Sequence, residues 1–221
     1  MSLVIYGDPH GDWQPLLEAI ALDRPSAIVI LGDCDLERPL HAELSPVFAA
    51  SVEVAYLYGN HEKDLPEQWD NLVGDHPQGL LHARIRRLGP YDVAGVAGVF
   101  KQRIWLPPAA PLFDGRAAFL RRLAHHERWK GGLPLRQRDA IFPEDFRALV
   151  GKRADILVAH EAPSTHPHGF AALDDLARAL RVRLVVHGHH HTSLTGVTAD
   201  GIAVIGLGKA EVLRLSAGNL P

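Results

Sequence analysis

Five short apolar runs punctuate the chain: LVIY at 3–6, AIVIL at 27–31, VAYLY at 54–58, DILVA at 155–159 and RLVV at 183–186. Unalternating, partly β-branched runs of this length predict strands buried on both faces, the pattern of an open α/β sheet. Between them the period changes. Behind Asp12, a residue suited to an N-cap, Trp13, Leu16, Leu17, Ile20 and Ala21 repeat at the spacing of one helix face, so residues 13–22 are predicted helical. A second helical pattern runs from about Asp114 to Lys130, stopped by Gly131-Gly132, and further helices are expected near 143–151 and 169–181. Two segments read as hairpins instead. SLTGVTADGIAVIGLG at 193–208 turns around Ala199-Asp200-Gly201 and precedes a last strand in AEVLRLS, and RIRRLGPYDVAGVAGVF at 84–100 turns around Gly89-Pro90. βα units are therefore mixed with hairpins, and the Pro-rich LPPAAPLF at 106–113 reads as a loop rather than a boundary.

With no linker, heptad, low-complexity tract or strong repeat, the 221 residues are expected to form one domain over 1–221. At 47% hydrophobic and 22% charged residues, the chain can bury a sizeable core. A net charge of −3 leaves no broad basic surface, so sequence-specific nucleic-acid binding is not expected. Cys34, the single cysteine, excludes an intrachain disulfide and fits a reducing compartment. No apolar stretch reaches the roughly 18 residues of a membrane span, and the N-terminus enters a strand at once without an export signal. The expectation is a cytoplasmic protein with no membrane partner.

The polar residues that follow the apolar runs change the picture. LVIYGDPH ends in Asp8 and His10, AIVILGDCD in Asp33, VAYLYGNHE in Asn60 and His61, DILVAH in His160, and RLVV runs into HGHHH at 187–191. Asp and Asn beside glycine also form plain turns. In an open α/β sheet, however, the loops beyond the carboxyl ends of the strands face one crevice, so five such endings converge. Carboxylate, amide oxygen and imidazole suit divalent Mn, Fe, Zn or Co, and more than four such groups exceed one tetrahedral ion. Two ions sharing a carboxylate is the economical arrangement. Alternation in an extended segment groups His187, His189 and His191 against His190.

In order along the chain, Asp8-Pro9-His10, Gly32-Asp33, Gly59-Asn60-His61-Glu62, the strand-ending His160 and Gly188-His189-His190-His191 form five blocks. This ordered set resembles the calcineurin-like metallophosphoesterases, and the resemblance runs from Asp8 to His191. It implies an α/β fold, a four-layer αββα sandwich of two mixed β-sheets flanked by helices. It further implies a dinuclear phosphoesterase that hydrolyses a phosphomonoester or phosphodiester with metal-activated hydroxide. The first ion would be held by Asp8, His10, Asp33 and His191, and the second by Asp33 as the bridge, Asn60, His160 and His189. His61 matches the family's non-ligand histidine and would protonate the leaving oxygen or stabilise charge there. His187 and His190 would stand behind the ligands or in solvent, and Asp35 or Glu62 would orient a histidine.

The implied substrate is small and phosphorylated, such as a nucleotide or phosphodiester. Gly32-Asp33-Cys34-Asp35-Leu36-Glu37-Arg38 departs from the protein Ser/Thr phosphatase pattern G-D-x-V-D-R-G, which argues against that branch. The competing reading is a catalytically inactive scaffold or interaction protein of the same fold, expected to lack ligands or the His61 equivalent. All those positions are filled here. His166 and His168 are expected in a solvated loop, and Cys34 as a buried, inert thiol.

Overall fold

A computed structural model describes residues 2–218 and 220. Its strands are β1 (Ser2–Tyr6), β2 (Ala27–Ile30), β3 (Glu53–Tyr56), β4 (Arg84–Leu88), β5 (Tyr91–Val96), β6 (Ile156–Ala159), β7 (Leu184–His187), β8 (Leu194–Val197), β9 (Ala203–Gly206) and β10 (Val212–Ser216). They form two mixed sheets. The smaller runs β10-β1-β2-β3, with β10 antiparallel to an otherwise parallel set. The larger runs β4-β5-β6-β7-β9-β8, parallel from β5 to β9 and closed at each edge by an antiparallel strand.

Side-chain alternation in β6 shows how the layers meet. Ile156 and Val158 join the core built on β1, β2 and β3, whereas Leu157 and Ala159 pack with Leu173, Leu176, Ala177 and Leu180 of the helix Ala171–Leu180. One face of the larger sheet therefore meets the smaller sheet and the other meets helix. The helix Gln14–Asp23 buries Leu16, Ala19 and Ile20, with Leu16 and Ile20 in the core of the smaller sheet. This is the expected sandwich of two mixed sheets flanked by helices. All four residues of β2 are 0% exposed, which accounts for its unalternating apolar sequence.

Both expected hairpins form, with Gly89-Pro90 joining β4 to β5 and residues 198–202 joining β8 to β9. The helix expected over 114–130 does not. Only Arg116–Leu120 is α-helical, followed by a 3₁₀ turn at His125–Glu127. Phe119 and Leu123 pack with Ile104, Leu133, Ala140 and Phe142 in a separate small core rather than extending a helical stripe. Polar side chains take over the backbone's hydrogen bonds there: Arg128 Nη2 donates to the Leu120 carbonyl at 2.9 Å, and the Ala124 N–H donates to Glu127 Oε2 at 2.8 Å. The expected helix at 143–151 shortens to Pro143–Arg147. No helix among the described residues is long and apolar enough to cross a membrane.

Candidate metal centre

The loops that leave β1, β2, β3, β6 and β7 carry the polar endings, and their backbones are unusual. Asp8, His10, Asp33, His189 and His191 all have positive φ, between 31° and 71°, where side chains other than glycine's are uncommon. Cross-loop hydrogen bonds hold them there: His10 N–H to the Asp33 carbonyl at 2.9 Å, His61 N–H to Asp33 Oδ1 at 2.9 Å, and His189 N–H to Asp8 Oδ2 at 2.6 Å. The neighbouring glycines are required by close approach. A Cβ on Gly59 would fall 2.2 Å from Asp33 Oδ1, and one on Gly188 would fall 2.4 Å from Asp8 Oδ1.

These loops bring the sequence candidates together as two triads that share one carboxylate. Ligating atoms of His10, Asp33 and His191 lie within 4.8 Å of one another, as do those of Asp33, His160 and His189. His10 Nε2 and His191 Nε2 are 2.8 Å apart, and Asp8 Oδ2 lies 3.8 Å from His191 Nε2. In the second group His160 Nε2 lies 3.1 Å from Asn60 Oδ1 and 3.4 Å from Asp33 Oδ2. Asp8, His10, Asp33, Asn60, His160, His189 and His191 thus all converge.

The alternation argument for HGHHH does not hold. β7 ends at His187, and residues 188–191 are bent, with His189 and His191 left-handed, so the two reach different triads. His187 is buried, its Nε2 without a hydrogen-bond partner, and His190 stacks on His166 at 3.7 Å between ring centroids. The expected solvated loop is therefore partly packed at His166.

Donors turn outward and acceptors inward. His10 Nδ1 donates to Asp35 Oδ2 at 2.7 Å, and His160 Nδ1 donates to the Leu31 carbonyl at 2.8 Å, which turns each Nε2 toward the centre, where it becomes an acceptor once its proton is lost. His189 Nε2 lies 3.3 Å from Glu161 Oε1. Asp8 Oδ1 is buried and has no hydrogen-bond partner. A cluster of inward acceptors with an orphaned carboxylate oxygen fits cation binding.

Two of the carboxylates that serve the centre escaped the sequence reading. Asp64 Oδ2 accepts from His61 Nδ1 at 2.9 Å, with His61 still 41% exposed and its ring 5.3 Å from that of His10. The His-x-x-Asp spacing was the available signal. Glu161 directly follows His160. Of the two carboxylates expected to orient a histidine, Asp35 does so for His10. Glu62 does not: its buried carboxylate accepts the Cys34 N–H at 2.7 Å and the Gly59 N–H at 2.6 Å, tying the loop after β2 to the loop after β3. Glu62→Ala should orphan both donors, at about 1–3 kcal/mol each, and lower stability toward urea accordingly. An unchanged midpoint and slope would contradict that role.

Burial raises Asp8 to about 6. Asp33 is equally desolvated, but His160 and the hydrogen bond from His61 N–H outweigh that and hold it well below the usual carboxylate range. Burial opposes charge on His160 too, yet the Asp33 carboxylate, their hydrogen bond and Asp8 together raise it to about 10. Burial lowers His189 to about 3. Without an ion, a proton on His160 offsets the paired carboxylates. Cys34 is buried and its thiol is pushed up, first by burial and then by Glu62 and Asp33, as expected of an inert thiol.

The model of the family described as calcineurin-like phosphoesterase matches residues 1–193. The chain belongs to the calcineurin-like phosphoesterases. An uncharacterized protein of Haemophilus influenzae is 36% identical over 194 residues, covering 87% of this chain and 84% of the relative. The solved dimetal phosphatase of Danio rerio superposes with a TM-score of 0.57 at 13% identity, over 95% of this chain and 88% of that one. The phosphopantetheinyl hydrolase PptH of Mycobacterium tuberculosis gives 0.56 at 19% identity, over 95% and 90%. At such identities the structural likeness is one of fold. For this calcineurin-like phosphoesterase, the two triads occupy the carboxyl ends of the parallel strands, where open α/β sheets bind ligands.

Proposed function

We propose that this chain is a dinuclear metal-dependent phosphoesterase acting on a small phosphorylated substrate, with residues 1–221 as one catalytic unit. The observation that carries this reading is the sharing of Asp33 between two triads of metal-ligating side chains. In this assignment Asp8, His10, Asp33 and His191 hold one ion, and Asp33, Asn60, His160 and His189 hold the other. The names of the fold relatives, a dimetal phosphatase and a phosphopantetheinyl hydrolase, agree with it. Two divalent ions would supply an activated water near neutral pH and positive charge against the phosphoryl oxygens.

The chain's own residues do the rest. Asp8 and Asp33 return two of the four positive charges, so a phosphate anion is attracted although the protein is acidic overall. His61, held through Nδ1 by Asp64, keeps its Nε2 available to give a proton to the leaving oxygen. Asp35 fixes the ring of His10 so that its other nitrogen would be offered to the ion. No observation favours the inactive-scaffold reading, because every ligand position and His61 are filled.

Binding an ion at His160 must expel its proton, and the pH dependence follows. Below a pKa of about 10 the proton competes, so affinity at that site should fall about tenfold per unit as pH drops from about 9 to 7. Below about 6, protonation of Asp8 should steepen the loss. Calorimetry of Mn²⁺ binding in buffers of different ionisation enthalpy should report about one proton released per ion at this site near pH 8. Affinity independent of pH would contradict a protonated His160 in the ion-free site. Function itself is tested with chelator-stripped protein and bis(p-nitrophenyl) phosphate. Turnover should require added Mn²⁺, and folded, metal-loaded protein inactive on this ester and on a panel of phosphomonoesters would favour a scaffold.

A further inference from the structure

Beside the candidate centre, on the helix-covered side of the larger sheet, lies a cavity of about 610 Å³. Its walls include Trp105, Pro107 and Pro108 from the loop after β5, and His166 and Phe170 from the loop after β6. The volume falls within the range of small-molecule sites. We propose, resting on the phosphoesterase reading, that this cavity receives a nucleobase-sized aromatic ring of the substrate's leaving group, with Trp105, His166 and Phe170 as specificity-determining residues.

Three observations point to a flat, neutral occupant. First, the wall is aromatic and pre-set. The half-buried Trp105 indole meets Phe100 edge-on at 5.1 Å and 87°, and Phe146 at 5.1 Å and 77°, while Phe170 packs on Phe100 at 4.6 Å. Rings fixed in this way lose little freedom when another ring stacks on them. Second, among the described residues the lining carries no free cation to hold a phosphate. Its one carboxylate, Asp175, accepts from Arg178 at 2.5 Å, and the Ser164 hydroxyl is spent on Asp174. The cavity therefore suits the organic part of an ester, with the phosphoryl group left to the metal centre.

Third, the cavity wall is linked to the centre by ring contacts. His166 lies on His190 at 3.7 Å and 14°, and His190 lies 4.7 Å from His189, a member of the second triad. The cavity wall at His166 is thus two ring contacts from that triad, close enough for one small substrate to reach both. This also gives His190 and His166 a place that the metal assignment leaves open.

The test compares adenosine 5′-monophosphate with ribose 5-phosphate, which share the same primary-alcohol leaving oxygen and differ in the base. Base stacking on an aromatic side chain is worth about five- to hundredfold in binding, so kcat/KM should favour the adenosine ester by at least about fivefold. Trp105→Ala should bring the ratio to near unity with the ribose 5-phosphate rate unchanged, Trp105→Phe should restore most of it, and His166→Ala, at a half-buried position, should reduce it. Equilibrium dialysis of adenosine, which carries no phosphate, separates this proposal from the phosphoesterase reading. Adenosine bound by wild type and lost in Trp105→Ala supports the cavity even if no ester is hydrolysed. Equal efficiency on the two esters, or no adenosine binding by folded wild type, overturns it.

Discussion

Asp33→Ala is expected to remove both metal ions at once and to reduce ester hydrolysis to the uncatalysed background. Asp33 is the one residue common to the two triads, and it is 1% exposed. Its loss reaches further than the proposed bridge. Oδ1 accepts the His61 N–H at 2.9 Å, and Oδ2 lies 3.4 Å from His160 Nε2. Without that partner, burial dominates at His160 and returns it toward the neutral form. Metal analysis after desalting should give two ions per chain for the wild type and none for the variant. Retention of both ions would show that the bridge is elsewhere.

His61→Ala is the second large effect, of a different kind. His61 flanks the centre without belonging to either triad, and its side chain is 41% exposed, so metal content and fold should be unchanged. A positioned general acid contributes about 10²–10⁴ in rate, and kcat should fall by that factor with KM little altered. The loss should be smaller for p-nitrophenolate, which leaves readily as the anion, than for an alkoxide that needs its proton. Asp64→Ala should act in the same direction and more weakly, since it only holds the ring. Full activity of His61→Ala on an alkyl ester would end this assignment.

The convergence of the candidate residues was legible because they lie directly after buried parallel strands, where sequence order and spatial convergence coincide. The unalternating runs of β1, β2, β6 and β7 and the polar residues after them needed no long-range knowledge. What escaped depends on contacts between distant segments or on local backbone reversal. Residues 114–130 carry a helix-like pattern, yet Phe119 and Leu123 are claimed by Ile104, Leu133 and Phe142. His189 and His191 reach separate triads through left-handed backbone, which an extended-strand period cannot express. Likewise, Glu62 lies among histidines in sequence, but its oxygens face backbone N–H groups of two loops. The cavity at Trp105 depends on the Pro-rich loop meeting residues 164–170, far apart in the chain.

The most direct test of the shared-carboxylate centre is to titrate chelator-stripped protein with Mn²⁺ while following binding and bis(p-nitrophenyl) phosphate turnover on the same sample. The account predicts two ions bound per chain, with turnover rising to its plateau only as the second site fills. A plateau reached at one ion per chain, or turnover that persists in the stripped protein, would contradict it.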